Sequence, residues 1–237
     1  MSDHESPSAP FMSGHSLAQA TTILLAACIV VDLIAIAGGY SHILAVAKEV
    51  TAPLGGAAPE KYNSFEFMVL MIQIAVYFVT GLVFMIWVYR AFRNLPSLGV
   101  HNPRFSPGWA VGWFFVPILN LVRPYEVMQA LWRDSNPDVG ISDRFFEQHK
   151  GMLETYSSKT RLIGLWWAFV IIAALAYRAS AMVTANSTKS ADVVTASWIS
   201  LISDGLWIGA AAVLGLIVRG IEARQEEKWR RMTIEAA

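Results

Sequence analysis

Four long apolar runs each carry a charged or amide side chain well inside them: Asp32, Gln73, Arg178 and Asp204. Counted at about 1.5 Å per residue from the basic-flanked end of each run, all four fall at a similar depth, roughly 21–24 Å. Charged groups at that depth in hydrocarbon are costly and normally face the bundle interior with a partner. The pattern predicts that Arg178 pairs with Asp204, Asp32 or both, with Gln73 hydrogen-bonding nearby. One guanidinium against two carboxyls leaves a negative charge in excess, so one carboxyl is free to hold a proton or bind a cation. The plainer alternatives are a structural polar cluster and an Arg178 that snorkels out of the apolar slab.

A second set of candidates surrounds the stretch 108–132, GWAVGWFFVPILNLVRPYEVMQALW. Arg90, Arg93 and Arg123 (with Arg104) and the amides of Asn94 and Asn120 have the chemistry to bind lipid phosphates or an acidic partner segment. Here the plainer alternative is topology-setting charge with Asn capping. Trp109 and Trp113, four apart, share a helical face and suit an interfacial anchor. Gly108 and Gly112 have the spacing of close helix packing.

No catalytic constellation accompanies these sets. The five histidines, His4, His15, His42, His101 and His149, are scattered, and none lies in the middle of an apolar run. Neither a haem-ligand pair nor an HExxH zinc motif is present. There is no phosphate-cradling glycine loop, and Gly38–Gly39 or Gly55–Gly56 alone carry little meaning. The single Cys28 excludes an internal disulfide and a multi-cysteine metal site, and its apolar surroundings suit a packing residue. The reading contains no catalytic residue, no metal and no cofactor.

The elements that must position these residues follow from composition. The chain has 237 residues, 55% hydrophobic and 15% charged, with a mean hydropathy of +0.45. Soluble domains carry about 25% charged residues, so a membrane protein is indicated. A formal net charge of +0 argues against nucleic acid as a partner. Apolar runs at 17–38, 67–89, 162–181 and 193–218 each supply about 20 residues, enough for a hydrocarbon core of about 30 Å. Residues 1–16, without Lys or Arg and rich in Ser and Pro, read as a disordered tail, so the first run is a retained helix and not a signal peptide. The segment between runs two and three and the tail after run four hold most of the basic residues, which places both termini and the central segment on the cytoplasmic side.

The stretch 108–132 is too short for a fifth crossing. Its apolar part covers about 22 Å as a helix, Pro117 interrupts it, and Pro124 suits the first turn of a new helix. Beyond it, Tyr125, Met128, Leu131 and Trp132 share one face, the pattern of a helix lying in the interface. A dip from the cytoplasmic side, leaving near Pro124, keeps the following basic residues on their own side. Further on, Asp143 or Ser142 is placed to cap a helix presenting Phe145, Phe146 and Met152 to the membrane. The tail 220–237 continues the last helix, with Glu227 and Arg231 as an i,i+4 pair.

The central residues form a recognisable set. RAFRNLPSLGV, then SPGWAVGWFFVPILNLVRPYEVMQALWRDS, then LIGLWWAF resembles the bacterial domain-of-unknown-function family 4328 over roughly 70–219. The positions carrying it are Arg90, Arg93, Asn94, Pro107, Trp109, Trp113, Pro117, Asn120, Pro124, Trp166 and Trp167. The resemblance implies a multi-span bacterial membrane protein and supplies no activity to transfer. The fold expected is all-α and polytopic: four transmembrane helices (domain 17–219) with a short re-entrant or interfacial hairpin between the second and third. The location expected is a bacterial inner membrane. Three readings follow: a non-enzymatic module binding lipid or a membrane-protein partner, including a second copy; a small proton- or ion-linked transporter or channel using the Asp/Arg layer; and a lipid-modifying enzyme.

Overall fold

The computed structural model describes residues 10–51, 64–100, 102–138, 160–186 and 190–235. All the regular structure in them is helical. Helix α1 spans His15–Thr51, α2 Ser64–Asn94, α3 Pro107–Gly112, α4 Arg123–Asp134, α5 Thr160–Asn186 and α6 Ser190–Glu235, with single 3-10 turns at Pro96–Leu98 and Leu119–Leu121. The helix expected around Asp143 lies outside the described residues.

Four of these helices are long and apolar enough to cross a membrane: α1, α2, α5 and α6. Apolar side chains cover the outward faces of their spanning parts, as they must where no water is available to solvate a polar face. Large side chains such as Ile23, Phe78, Leu175 and Ile202 are more than half exposed in the isolated chain. Helix α6, at 46 residues, is about 69 Å long and extends well past the hydrocarbon. On that extension Glu227 pairs with Arg231 at 2.7 Å, the expected i,i+4 contact.

The chain divides into two compact units. The first holds residues 1–23, 81–164 and 214–237 and contains the basic ends of the long helices with α3 and α4. Its core is Trp87, Phe92, Leu95, Leu98, Met128, Leu131, Ile217 and Ile221. Pro124 sits in the first turn of α4 as anticipated. The apolar face of α4 is, however, buried inside the protein. Trp132 is 8% exposed against Gly220, and Gln225 donates to the Ser135 hydroxyl at 3.0 Å and the Ala91 carbonyl at 3.1 Å. The interfacial helix of the sequence reading is therefore a packed helix: the same amphipathic pattern serves a bilayer surface or a neighbouring helix, and α6 provides the neighbour.

In the same unit the first described residues of the expected disordered tail are held in place. Asn94 donates to the Met12 carbonyl at 2.9 Å and accepts from its N–H at 3.3 Å, while Phe11 stacks on Trp229. Residues 1–9 of that tail lie outside the described residues. The Gly108/Gly112 packing motif does not form: a Cβ on Gly108 would meet nothing, and one on Gly112 only Trp109.

The second unit holds residues 24–80 and 165–213. Small residues bring its helices together. A Cβ at Gly38 would lie 2.9 Å from the Phe65 ring, one at Gly39 3.0 Å from Leu201, and one at Gly209 3.1 Å from Phe169. Hydroxyls fasten α5 to α6: Ser180 donates to the Ala196 carbonyl at 2.8 Å and Ser203 to that of Ala173 at 3.0 Å.

Candidate functional site

Four helices of the second unit surround a cavity of about 130 Å³. Each contributes residues at helical spacing: Gly38, Gly39 and His42 from α1; Glu66, Val69 and Gln73 from α2; Tyr177, Ser180 and Thr184 from α5; Ser197, Ser200 and Asp204 from α6. Positions three and four apart share a helix face, so each helix turns one stripe inward. The walls are unusually polar for a lipid-embedded bundle. Buried polar groups in such a setting require partners, and the chamber supplies most of them internally.

At one end His42 Nδ1 meets Glu66 Oε1 at 3.0 Å, with both side chains more than four-fifths buried. At the other end stands the predicted layer. Asp32 is fully buried and its two oxygens accept from Gln73 Nε2 at 3.0 Å and the Tyr77 hydroxyl at 2.6 Å. Asp204 lies within reach of the same Gln73 amide. Three of the four sequence candidates thus converge. Gln73 of α2 holds the α1 carboxyl and stands near that of α6, while Tyr77 leans on Trp207 with ring centroids 5.7 Å apart.

Arg178 does not join them. It is exposed and forms no ion pair with Asp32 or Asp204 among the described residues. The reason is angular. The inward stripe of α5 runs through Tyr177, Ser180 and Thr184, and a residue two positions before Ser180 points about 160° away from it at 100° per residue. Counting residues gives the depth of a side chain and says nothing about the side from which it projects. The expected pairing is corrected accordingly, and the layer is Asp32, Gln73 and Asp204.

The family model for DUF4328, a domain of unknown function, matches residues 55–223, well over half the chain. The chain belongs to the DUF4328 family. No curated protein matches it, and neither does any solved structure. The chamber residues Glu66, Gln73, Tyr177 and Asp204 fall inside the DUF4328 match, whereas Asp32 and His42 precede it.

The second candidate set is dispersed in this DUF4328 protein. Arg90 and Asn94 face the chain's own N-terminal segment: Arg90 Nε donates to the Met12 carbonyl at 3.4 Å beside Asn94. Arg93 is exposed, one turn along α2 from Arg90. Around the hairpin, Trp109 and Trp113 do stack as neighbours, centroids 4.9 Å apart, and the Arg123 guanidinium lies 5.0 Å from the Trp113 ring centroid. Arg123 and Arg104 both bind Glu126, at 2.7 and 3.3 Å. Asn120 is half-buried in the returning turn. The set is two separate places, a clasp for residues 11–13 and a collar at the hairpin base.

Sequence reasoning missed His42, Glu66, Tyr77 and Ser200. Ser200 was detectable, one turn before Asp204 on the same face. His42 lies four residues past the first apolar run and Glu66 one before the second, where a polar residue is unremarkable, and only the packing of α1 on α2 joins them.

Proposed function

We propose that the bundle binds a small cation in this chamber and couples it to movement across the membrane, a proton or a monovalent cation being the chemistry its groups fit. The observation that carries this reading is the chamber floor. Asp204 opens into it, the Gln73 amide that donates to Asp32 stands near Asp204 as well, and among the described residues no Lys or Arg lines it. The base among the described lining residues, His42, is committed to Glu66. Carboxyls grouped in a low-dielectric slab without a fixed counter-charge attract a mobile one. With Arg178 outside the layer, this reading gains over the structural cluster. A divalent cage has less support: among the described residues no three His, Cys, Asp or Glu side chains group as ligands, and hard divalent ions take about six oxygens.

The basic flanks support a bacterial inner-membrane orientation with both termini in the cytoplasm, so that the His42–Glu66 end faces outward. The test is reconstitution in liposomes under imposed proton, sodium and potassium gradients. Cation flux should appear in the wild type, disappear in Asp204→Asn and survive in Arg178→Gln. Absence of flux under all three gradients, or an Asp204→Asn protein that conducts normally, would sink the reading. Lipid or partner binding at the hairpin is the second reading, supported by the exposed apolar tip described below. The lipid-modifying enzyme gains no constellation among the described residues.

A further inference from the structure

Packing partners in the first unit act as a depth ruler for the hairpin between α2 and α5. Arg90, Arg161 and Arg219 close the apolar runs of α2, α5 and α6 and mark one boundary of the hydrocarbon. On the way in, Phe105 packs edge-on to Phe92, which lies about 3 Å beyond Arg90 on the polar side. Nine residues later Phe114 packs edge-on to Phe84, centroids 6.0 Å apart, and Phe84 lies about 9 Å inside the boundary. On the way out, Tyr125 lies against Gly164, about 4.5 Å inside Arg161. Trp132 then covers Gly220, just past Arg219. The chain therefore enters, reaches its greatest depth near Phe114–Ile118, and leaves on the side it came from.

The side chains at the deep end have none of the described residues over them. Phe115 is 70% exposed and Ile118 81%, with Val122 beside them at 55%. Ile118 also has φ of 68° and ψ of −49°, a strained γ-turn closed by the Leu119 N–H on the Pro117 carbonyl at 2.8 Å, which β-branched residues rarely adopt. The turn holds a bulky apolar side chain outward in a strained backbone, an arrangement that makes sense only if its surroundings are apolar. At the base, two guanidiniums share one carboxylate, Arg104 and Arg123 on Glu126, a trio with one positive charge in excess at headgroup level. Trp109 and Trp113 lie at the same collar, where amphipathic rings favour the interface.

We propose that residues 113–122 are a wedge occupying one leaflet only, its tip among the acyl chains of the basic-side leaflet and its Arg104–Arg123 collar on an anionic lipid phosphate. The proposal is independent of the chamber. It assigns the tip to lipid, not to a second copy or another protein, because the depth set by Phe84 continues the lipid-facing surface of α2 at Leu82 and Ile86.

The experiment uses the full chain in vesicles of phosphatidylcholine with or without phosphatidylglycerol. An environment-sensitive fluorophore is attached at Ile118→Cys, or at Asn136→Cys beyond α4, in a Cys28→Ser background. The label at 118 should be quenched by acyl-chain spin labels and spared by aqueous iodide, and the label at 136 should show the reverse. Iodide quenching at 118 overturns the proposal. Protection from both quenchers also overturns it, in favour of a protein covering the tip. For the collar, spin-labelled phosphatidylglycerol should associate several-fold more than phosphatidylcholine, and Arg104→Gln with Arg123→Gln should abolish the preference. Equal association of the two lipids in the wild type removes the phosphate from the proposal.

Discussion

Replacing Asp32 by Asn and by Leu separates a carboxyl group that holds the bundle together from one that binds a cation. Asp32 is fully buried and accepts two hydrogen bonds, from Tyr77 at 2.6 Å and Gln73 at 3.0 Å. Asn keeps the shape. Its oxygen retains one donor, and its amide can donate to the Tyr77 oxygen after a hydroxyl rotation or to a flipped Gln73 carbonyl. The net stability cost should stay within about 1 kcal/mol. Leu leaves the Tyr77 hydroxyl without an acceptor in a dry site and the Gln73 amide with only Asp204 nearby, at a cost of about 1–3 kcal/mol from the hydroxyl. Cys28 makes the assay simple. It is the chain's one cysteine, 1% exposed beside the Thr80 hydroxyl, so a thiol-reactive dye reports unfolding of this unit during a temperature ramp. Asp32→Leu should react several degrees earlier than the wild type, and Asp32→Asn close to it. Cation flux should nevertheless be lost in both. If Asp32→Asn unfolds as early as Asp32→Leu, the carboxylate is a structural requirement and the cation reading loses its floor. If it is stable and still conducts, Asp32 has no part in the cation's path.

Three further outcomes follow from the first unit. A Cβ at Gly220 would stand 2.8 Å from the Trp132 ring, which the Arg224 guanidinium covers at 4.0 Å; Gly220→Ala should therefore destabilise by about 1–3 kcal/mol, measured as a lower unfolding temperature, and an unchanged temperature would show that the ring can yield. Asn94→Ala removes both side-chain bonds to Met12; at about 1 kcal/mol for each bond, amide exchange at Met12 should accelerate tenfold or more, and unchanged exchange would mean that the Phe11–Trp229 stack holds the segment alone. Lys228 lies about 13 Å beyond Arg219 and donates to the Asp134 carbonyl at 3.3 Å. Burial lowers its pKa below the ordinary 10.5, so the unfolded chain binds the proton more tightly. Stability should then rise as pH climbs through the interval just below 10.5, and Lys228→Met should abolish that rise in a pH series of unfolding temperatures.

The parts of this structure legible in the sequence are those governed by period and composition. Apolar runs of about 20 residues fix four spanning helices, and Pro117 with Pro124 fixes a break and a restart between two of them. Depth was legible as well, because a helix rises uniformly: Asp32, Gln73 and Asp204 were placed in one layer by counting and meet there through the Gln73 amide. What was not legible was azimuth. Arg178 has the right depth and the wrong side, and α4 has the right amphipathic pattern and a protein neighbour where a bilayer was expected.

That distinction changes which polar residues carry functional weight. A charge count by depth alone gave a nearly neutral layer of one Arg and two Asp. Angular position moves the Arg to the outside and leaves the carboxyls with Gln73, Tyr77 and a cavity. The same correction applies at the other end of the chamber. Glu66 and His42 lie just outside the apolar runs, yet each is on the inward stripe of its helix, and their pairing at 3.0 Å occupies the base among the described lining residues. His42→Gln should therefore remove that base and its contact with Glu66, leaving the described lining with one basic group fewer against its carboxyls. On the proposed mechanism that variant binds the cation more tightly and releases it more slowly, so half-saturation should occur at lower cation concentration with a reduced maximal flux. A half-saturation that moves the other way would place the His42–Glu66 pair outside the cation's path.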